Sequence, residues 1–381
     1  MIARRRQVAL ALTALLTAGA ACQAEGRAPS TGHPAPSAAG GFTLVASGDV
    51  LPHSSIIDRA RFDAGGTGYD FRPMFAGVRP VVSRADLALC HMETVYGANG
   101  DYTGYPVFKS PPEVAKALAA TGYDGCSTAS NHSLDDGADG IRRTLDALDR
   151  AGVRHAGTAR AEVEARTVTV LRAGRAQVAH LAYTYDTNGI PLPQGQPWAV
   201  NLIDENRIVA EARAARKAGA DVVVVSLHWG TEWQDTPDEQ QLSLARGLTA
   251  ARTGHRPDID LILGTHAHVP QAYEKVNGTW VAYGMGDQIA GAMENHQGAQ
   301  DPRGNQSTLG RFTFAPPARK GQRWRVTKAE FVPQLFDVDA GRAVNLNEAL
   351  AAGADLRAVR DRIRTVVLSR GAAQDGLAMG R

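Results

Sequence analysis

The sequence is short of cysteine, has no excess of either charge, and past its opening segment contains no apolar run long enough to cross a bilayer. Three cysteines in 381 residues are too few for a disulfide framework. Lys and Arg number 41 against 39 Asp and Glu, a formal net charge of +2, and no basic stripe stands out, which excludes a nucleic-acid binder. Internal repeats are absent as well. What is present is the material of a packed globule, 44% hydrophobic and 21% charged.

The opening "MIARRRQVALALTALLTAGAAC" reads as an export signal: an arginine cluster, an apolar stretch too short to span as a helix, then small residues and Cys22. Those small residues are similar to the lipobox of bacterial lipoproteins, with Gly19 standing where that motif usually has Leu. Residues 1–22 are therefore expected to be a signal peptide whose Cys22 carries a lipid anchor, placing the protein outside the cytoplasm on the cell membrane. Plain secretion is the alternative, and the paired arginines leave twin-arginine export open. Residues 23–41, rich in Ala, Pro, Ser and Gly, suit a disordered tether. Order is expected from Phe42, with one domain over 42–335 and a C-terminal helical extension and tail over 336–381 whose last ten residues are disordered. Cys90 and Cys126 each end an apolar run and are either buried thiols or one disulfide; buried thiols are the expectation.

Short apolar runs alternate with helical patterns, the signature of α/β layering. The runs are "FTLVASGDV", "ADLALCHME", "GYDGCSTASNH", "ADVVVVSLHWG", "IDLILGTHAH" and "WVAYGMGD". Between them "PPEVAKALAATG", "GADGIRRTLDALDRAG", "DENRIVAEARAARKAG" and "PDEQQLSLARGLTAARTG" predict helices, each closing on glycine. Ile141, Leu145 and Leu148 share one face of the second. Turns at Gly174 and Gly321 predict two antiparallel strand pairs, so a mixed sheet pair covered by helices fits.

Polar residues collect at the C-terminal ends of the apolar runs: Asp49, Glu93, Asn131, His132, His228, His266 and His268. Ligands bind at that edge of open α/β sheets. Each residue alone has an ordinary structural explanation, as a turn, a cap or a core histidine. Together they supply the imidazoles and carboxylates that bind divalent transition metals. In an extended "THAH" stretch, alternate side chains point the same way, so His266 and His268 would project together with Ala267 turned away.

"SGDVLPH", "CHMETV", "ASNHSLDDG", "LHWGTEW", "GTHAHVPQ" and "AYGMGDQ", in this order, resemble the CapA proteins of poly-γ-glutamate capsule synthesis, a branch of the calcineurin-like metallophosphoesterases. The resemblance runs from Phe42 to Gln334 and implies a four-layer αββα sandwich with its site at the strand ends. It further implies two divalent ions (Mn, Zn or Fe) held by Asp49, Glu93, Asn131, His228, His266 and His268, with Glu93 able to bridge. His132 would then stand beside the metals and protonate a leaving group, oriented by Asp135 or Asp136; the aspartates could equally be helix caps. Lys109, Trp229, Glu232 and Gln271 are candidate substrate contacts, Lys109 for a carboxylate and Glu232 for an amine, and Tyr105 and Trp233 lie in the same group. The chain departs from the pattern at Leu51, where the superfamily has histidine and the nearest one here is His53, and at His91 and Asp287, where relatives often have Asn. His91 is an added ligand, a substrate contact or a hydrogen-bonded strand-end residue.

Three functions fit these residues. The first is an exported, dinuclear metal-dependent hydrolase of a phosphoester or a γ-linked amide in capsule or poly-γ-glutamate production or export, with an anionic polymer or peptide as substrate. The second is a non-catalytic subunit that binds the polymer or a membrane-bound synthase or export complex. The third is a metal-independent acid/base enzyme acting on a peptide.

Overall fold

The computed structural model describes residues 40–319 and 322–381. The expected signal with Cys22, the tether up to residue 39 and the turn at Gly321 lie outside the described residues. In chain order the main strands are β1 (Phe42–Val50), β2 (Leu87–Met92), β3 (Gly125–Ser127), β4 (Arg154–Ala156), β5 (Thr169–Ala173), β6 (Ala176–Thr184), β7 (Val222–His228) and β8 (Leu261–Thr265). They continue with β9 (Tyr273–Val276), β10 (Thr279–Ala282), β11 (Asp287–Ile289), β12 (Gln306–Ala315), β13 (Arg325–Asp337), β14 (Arg342–Asn345) and β15 (Leu377–Met379). The main helices are α1 (Ser54–Asp63), α2 (Glu113–Thr121), α3 (Gly137–Ala151), α4 (Glu205–Lys217), α5 (Glu239–Ala250) and α6 (Arg357–Val367).

A nine-stranded sheet follows the order β14, β13, β12, β1, β2, β3, β4, with β11 beside β1 and β15 beside β13. A six-stranded sheet follows β9, β10, β8, β7, β6, β5. The period-two alternation of each central strand decides which layer its side chains join. In β1 and β2, Phe42, Leu44, Leu87 and Leu89 face the second sheet, while Val45, Ala88 and Met92 face helices α1, α2 and α3. In β7, Val222 and Val224 meet the first sheet, and Val223, Val225 and Leu227 meet Ile208 and Ala212 of α4 and Leu244 and Leu248 of α5. Strands buried on both faces therefore read as unbroken apolar runs. Each such Leu or Val stabilises the fold by roughly 1.5–3 kcal/mol relative to exposure. Helices, sheet, sheet, helices is the αββα order that the sequence resemblance implies.

Three expectations are corrected. Cys90 and Cys126 form a disulfide rather than two thiols, because parallel pairing of β2 with β3 sets them opposite each other, 4.4 Å apart at Cα. Helix α5 does not close on glycine: it stops at Ala250, Ala251 turns extended, and Gly254 (φ 61°) lies between Arg252–Thr253 and Arg256–Pro257, which pair antiparallel. The last ten residues are ordered, since β15 pairs parallel with Ala329–Phe331 of β13 and buries Leu377. Among the described residues no helix is long and apolar enough to cross a membrane.

Candidate metal centre

Parallel pairing carries the C-terminal ends of the central strands to one edge, and register decides which residues meet there. Asp49 on β1 lies opposite both His91 on β2 and Asp287 on β11. On the second sheet His228 lies opposite Thr265 of β8 and Thr184 of β6. Glycine permits the close crossing at this edge: a Cβ on Gly48 would fall 1.7 Å from the Gly286 carbonyl oxygen, where the Asp49 amide donates to that same oxygen at 3.0 Å.

Three groupings of side chains could each hold an ion: Asp49 with His91 and His228; Glu93 with His266 and His268; and Asp49, Glu93, His268 and Asp287 together. Within each, the ligand atoms lie within 4.8 Å of one another and every residue is buried. Asp49 Oδ1, both Glu93 carboxylate oxygens, Asp287 Oδ2, His91 Nε2 and His266 Nδ1 have no hydrogen-bond partner among the described residues. Orphaned buried polar atoms cost about 1–3 kcal/mol each, and more when charged, so six in one place need an explanation. Divalent cations fit the donor set, because the carboxylates and imidazoles have no Lys or Arg partner among the described residues and their free atoms converge.

The surroundings fix how each group is presented. Ser127 Oγ lies 2.7 Å from His91 Nδ1, which leaves Nε2 facing Asp49 Oδ1 at 3.6 Å. His228 Nδ1 meets Thr265 Oγ1 at 3.0 Å, and its Nε2 lies 2.9 Å from Asn131 Oδ1 and 3.7 Å from Glu93 Oε1. Asn131 therefore aims its amide oxygen at the space His228 faces, and its Nδ2 donates to Asn188 Oδ1 at 3.1 Å. Asp49 Oδ2 accepts the His266 amide at 3.1 Å. Burial and then the neighbouring carboxylates hold Asp49, by Asp287, and Glu93, by Asp49, well above the ordinary carboxyl range. Burial also lowers the imidazoles, His91 to about 3 and His228 and His266 well below their usual value. Burial would lower His268 too, but the Asp287 carboxylate, 3.0 Å from its Nδ1, and Glu93 hold it well above. Metal ligation calls for the opposite of these shifts, ionised carboxylates and a neutral His268.

His266 and His268 do converge, with ring centroids 6.0 Å apart, but not as alternate residues of a strand. Strand β8 ends at Thr265, and both histidines take left-handed backbone conformations, φ 90° and 58°. Such conformations are strained outside glycine and cluster at functional sites. A turn, not strand alternation, brings the rings together.

Beside the cluster opens a cavity of about 560 Å³ whose lining includes His132, His268, Glu232, Trp233 and Tyr105. His132 Nδ1 lies 2.7 Å from Asp135 Oδ2, which also accepts the Phe108 amide at 2.6 Å. Of the two candidate orienting residues, Asp135 holds the histidine, while Asp136 pairs with Arg143 and precedes α3 without a side-chain cap bond. Leu51 and His53 form part of the cavity wall; burial, with His268 and His132 nearby, lowers His53 to about 4.

Three expected substrate contacts do not reach this cavity. Trp229 is fully buried among the α4 and α5 side chains and donates to the Tyr283 carbonyl at 2.8 Å. Gln271 is buried between the Gln234 carbonyl and Gln241. Lys109 pairs with Asp101. Glu232 lines the cavity, as do Tyr105 and Trp233 of the same group. Sequence reasoning missed Asp287 as a member of the cluster, although its place at the end of an apolar run was the available signal. It also missed Tyr185, whose ring stands 4.5 Å from that of His266 and carries no motif.

A family model described as "Bacterial capsule synthesis protein PGA_cap" matches residues 43–292. The chain belongs to this family. Capsule biosynthesis protein CapA of Bacillus anthracis is 26% identical over 178 residues, 46% of this chain and 42% of that protein. A Mycobacterium tuberculosis (strain ATCC 25618 / H37Rv) protein named "Probable polyglutamine synthesis accessory protein" is 30% identical over 222 residues, 54% of this chain and 55% of that one. The PGA_cap chain thus spans about half the length of these relatives. Among solved structures, a novel phosphatase of Mycoplasma pneumoniae aligns over 77% of this chain and 94% of its own, at 12% identity and a TM-score of 0.47.

Proposed function

We propose that this PGA_cap protein is a metal-dependent hydrolase of a phosphoester or a γ-linked amide, serving capsule or poly-γ-glutamate production or export. The observation that carries the reading is the set of six orphaned donor atoms buried together at the strand ends. Asp49, His91 and His228 would hold one ion, and Glu93, His266, His268 and Asp287 a second, with Asp49 and Glu93 between them and Asn131 beside His228. Manganese, zinc or iron suits such ligands. Bound there, the ions would supply Lewis acidity toward a phosphoryl or acyl oxygen and toward the attacking water.

His132 performs the proton step from the cavity wall. Asp135 fixes its ring through Nδ1, leaving Nε2 to give a proton to the departing oxygen or nitrogen. The Phe108 amide pins Asp135, and the edge-on contact of Phe108 with the His132 ring, 4.7 Å between centroids, restricts its rotation. Leu51, Phe108 and Met293 keep water from one wall of the cavity. The relatives' names, a capsule biosynthesis protein and a polyglutamine synthesis accessory protein, support a capsule setting. An anionic polymer or peptide as substrate and a membrane-bound synthase or export complex as partner are part of the proposal. A lipid anchor on Cys22, or secretion, belongs to the same proposal.

The test is release of phosphate from phosphomonoesters and phosphodiesters, and of glutamate from γ-glutamyl peptides, by protein loaded with manganese, zinc or iron. Turnover of one class that vanishes on chelation and returns with metal is the expected result. Turnover that survives exhaustive chelation would favour metal-free acid/base chemistry, and polymer binding without turnover a non-catalytic subunit.

A further inference from the structure

We propose that the cavity beside the metal cluster recognises a protonated amine on the substrate, received by Glu232. The inference rests on the metal-hydrolase reading and names the class of molecule that the site would take: an anionic or acyl group at the cluster and an amine on a short carbon arm.

The charges of the cavity carry it. Its lining holds two carboxylates, Glu232 and Glu294, and neither Lys nor Arg. Beyond the imidazoles of His53, His132, His268 and His296, an anionic group reaching past the cluster would meet only these carboxylates, which disfavours it there and leaves the anionic part of the substrate at the cluster. Lys109, the one cation expected to meet a substrate carboxylate, is instead paired with Asp101. Glu232 is placed to act: its side chain is 29% exposed, its carboxylate accepts no hydrogen bond from a described residue, and the nearest ring nitrogens, of His268 and His296, stand 3.9 and 3.8 Å away. His268 is a member of the metal cluster, so the carboxylate lies just beyond the ligands, where the next atoms of a bound substrate would pass. Leu51, Phe108, Trp233 and Met293 supply apolar walls for the connecting carbons. An ammonium group there gains a charge-assisted hydrogen bond that a neutral or anionic group cannot make.

Calorimetry on the metal-loaded protein tests this with non-hydrolysable pairs, 2-aminoethylphosphonate against ethylphosphonate and 3-aminopropylphosphonate against propylphosphonate, so no turnover is needed. At least one amine is expected to bind about tenfold more tightly than its partner. In Glu232→Gln that ratio should fall to about one while metal content is unchanged. Equal affinities in the wild type, a ratio that survives Glu232→Gln, or no binding of any phosphonate to loaded protein would overturn the inference. Loss of metal in Glu232→Gln would also overturn it, making Glu232 a ligand. Elemental analysis before any phosphonate is added keeps the two readings apart: a protein that takes up no metal sinks the hydrolase reading itself, whereas a loaded protein blind to the amine sinks only this one.

Discussion

Both Glu93 oxygens are buried and unbonded, close to His228 and to Asp49, in a position where no ordinary hydrogen bond compensates the carboxylate. Substituting Glu93→Gln removes the anion while keeping the shape, so most bound metal should be lost in elemental analysis; unchanged content would contradict a shared role for this residue. His132→Ala acts elsewhere. It should leave metal in place and lower turnover by about 10²- to 10⁴-fold, the usual worth of a positioned general acid. Loss of metal in that variant would show that His132 is a ligand. At this scale the sequence was informative wherever a polar residue closes an apolar run: Asp49, Glu93, His228, His266 and His268 all reach the cluster. It misled where a residue's orientation depends on its neighbours. Trp229 follows His228 directly, yet the period of two turns it into the α4 and α5 layer.

The strands that carry most of the site are β1 and β2, paired parallel in one sheet, and β7 and β8, paired parallel in the other, so each pair presents its C-terminal ends together. These strands were legible as apolar runs, and α3 by its Ile141, Leu145 and Leu148 stripe. The join between elements was not. The Cys90–Cys126 disulfide depends on strand register, and the His266–His268 turn on strained backbone that residue identity does not announce. The contact between β1 and β11 is equally tight. In Gly48→Ala the new methyl must displace the Gly286 carbonyl and shift Asp49 relative to Asp287, so denaturant unfolding should show a loss of about 1–3 kcal/mol together with weakened metal uptake. Stability and metal uptake equal to wild type would show that the two strands tolerate separation.

Across the whole molecule, burial of the ligand cluster couples metal binding to folding. In the metal-free protein Asp49 and Glu93 have raised pKa values, so the folded state keeps protons that the unfolded chain releases near pH 4, and their contribution to stability falls as pH rises. Cations held by Asp49 and Glu93 would displace those protons, because ligation needs the ionised carboxylates. The melting temperature of loaded protein should therefore exceed that of chelated protein, by a gap that widens from pH 5.5 to pH 8; a gap that narrows would contradict these protonation states. Saturation at a hundred times Kd alone stabilises by about 2.7 kcal/mol.

The central claim is that the strand-end cluster is a dinuclear metal centre, and elemental analysis of purified wild-type and His266→Ala protein, before and after chelation, tests it most directly. About two transition-metal ions per chain in the wild type, removable by chelator and substantially reduced in the variant, is the predicted result. A wild-type protein that holds no metal even after incubation with manganese, zinc or iron would contradict it.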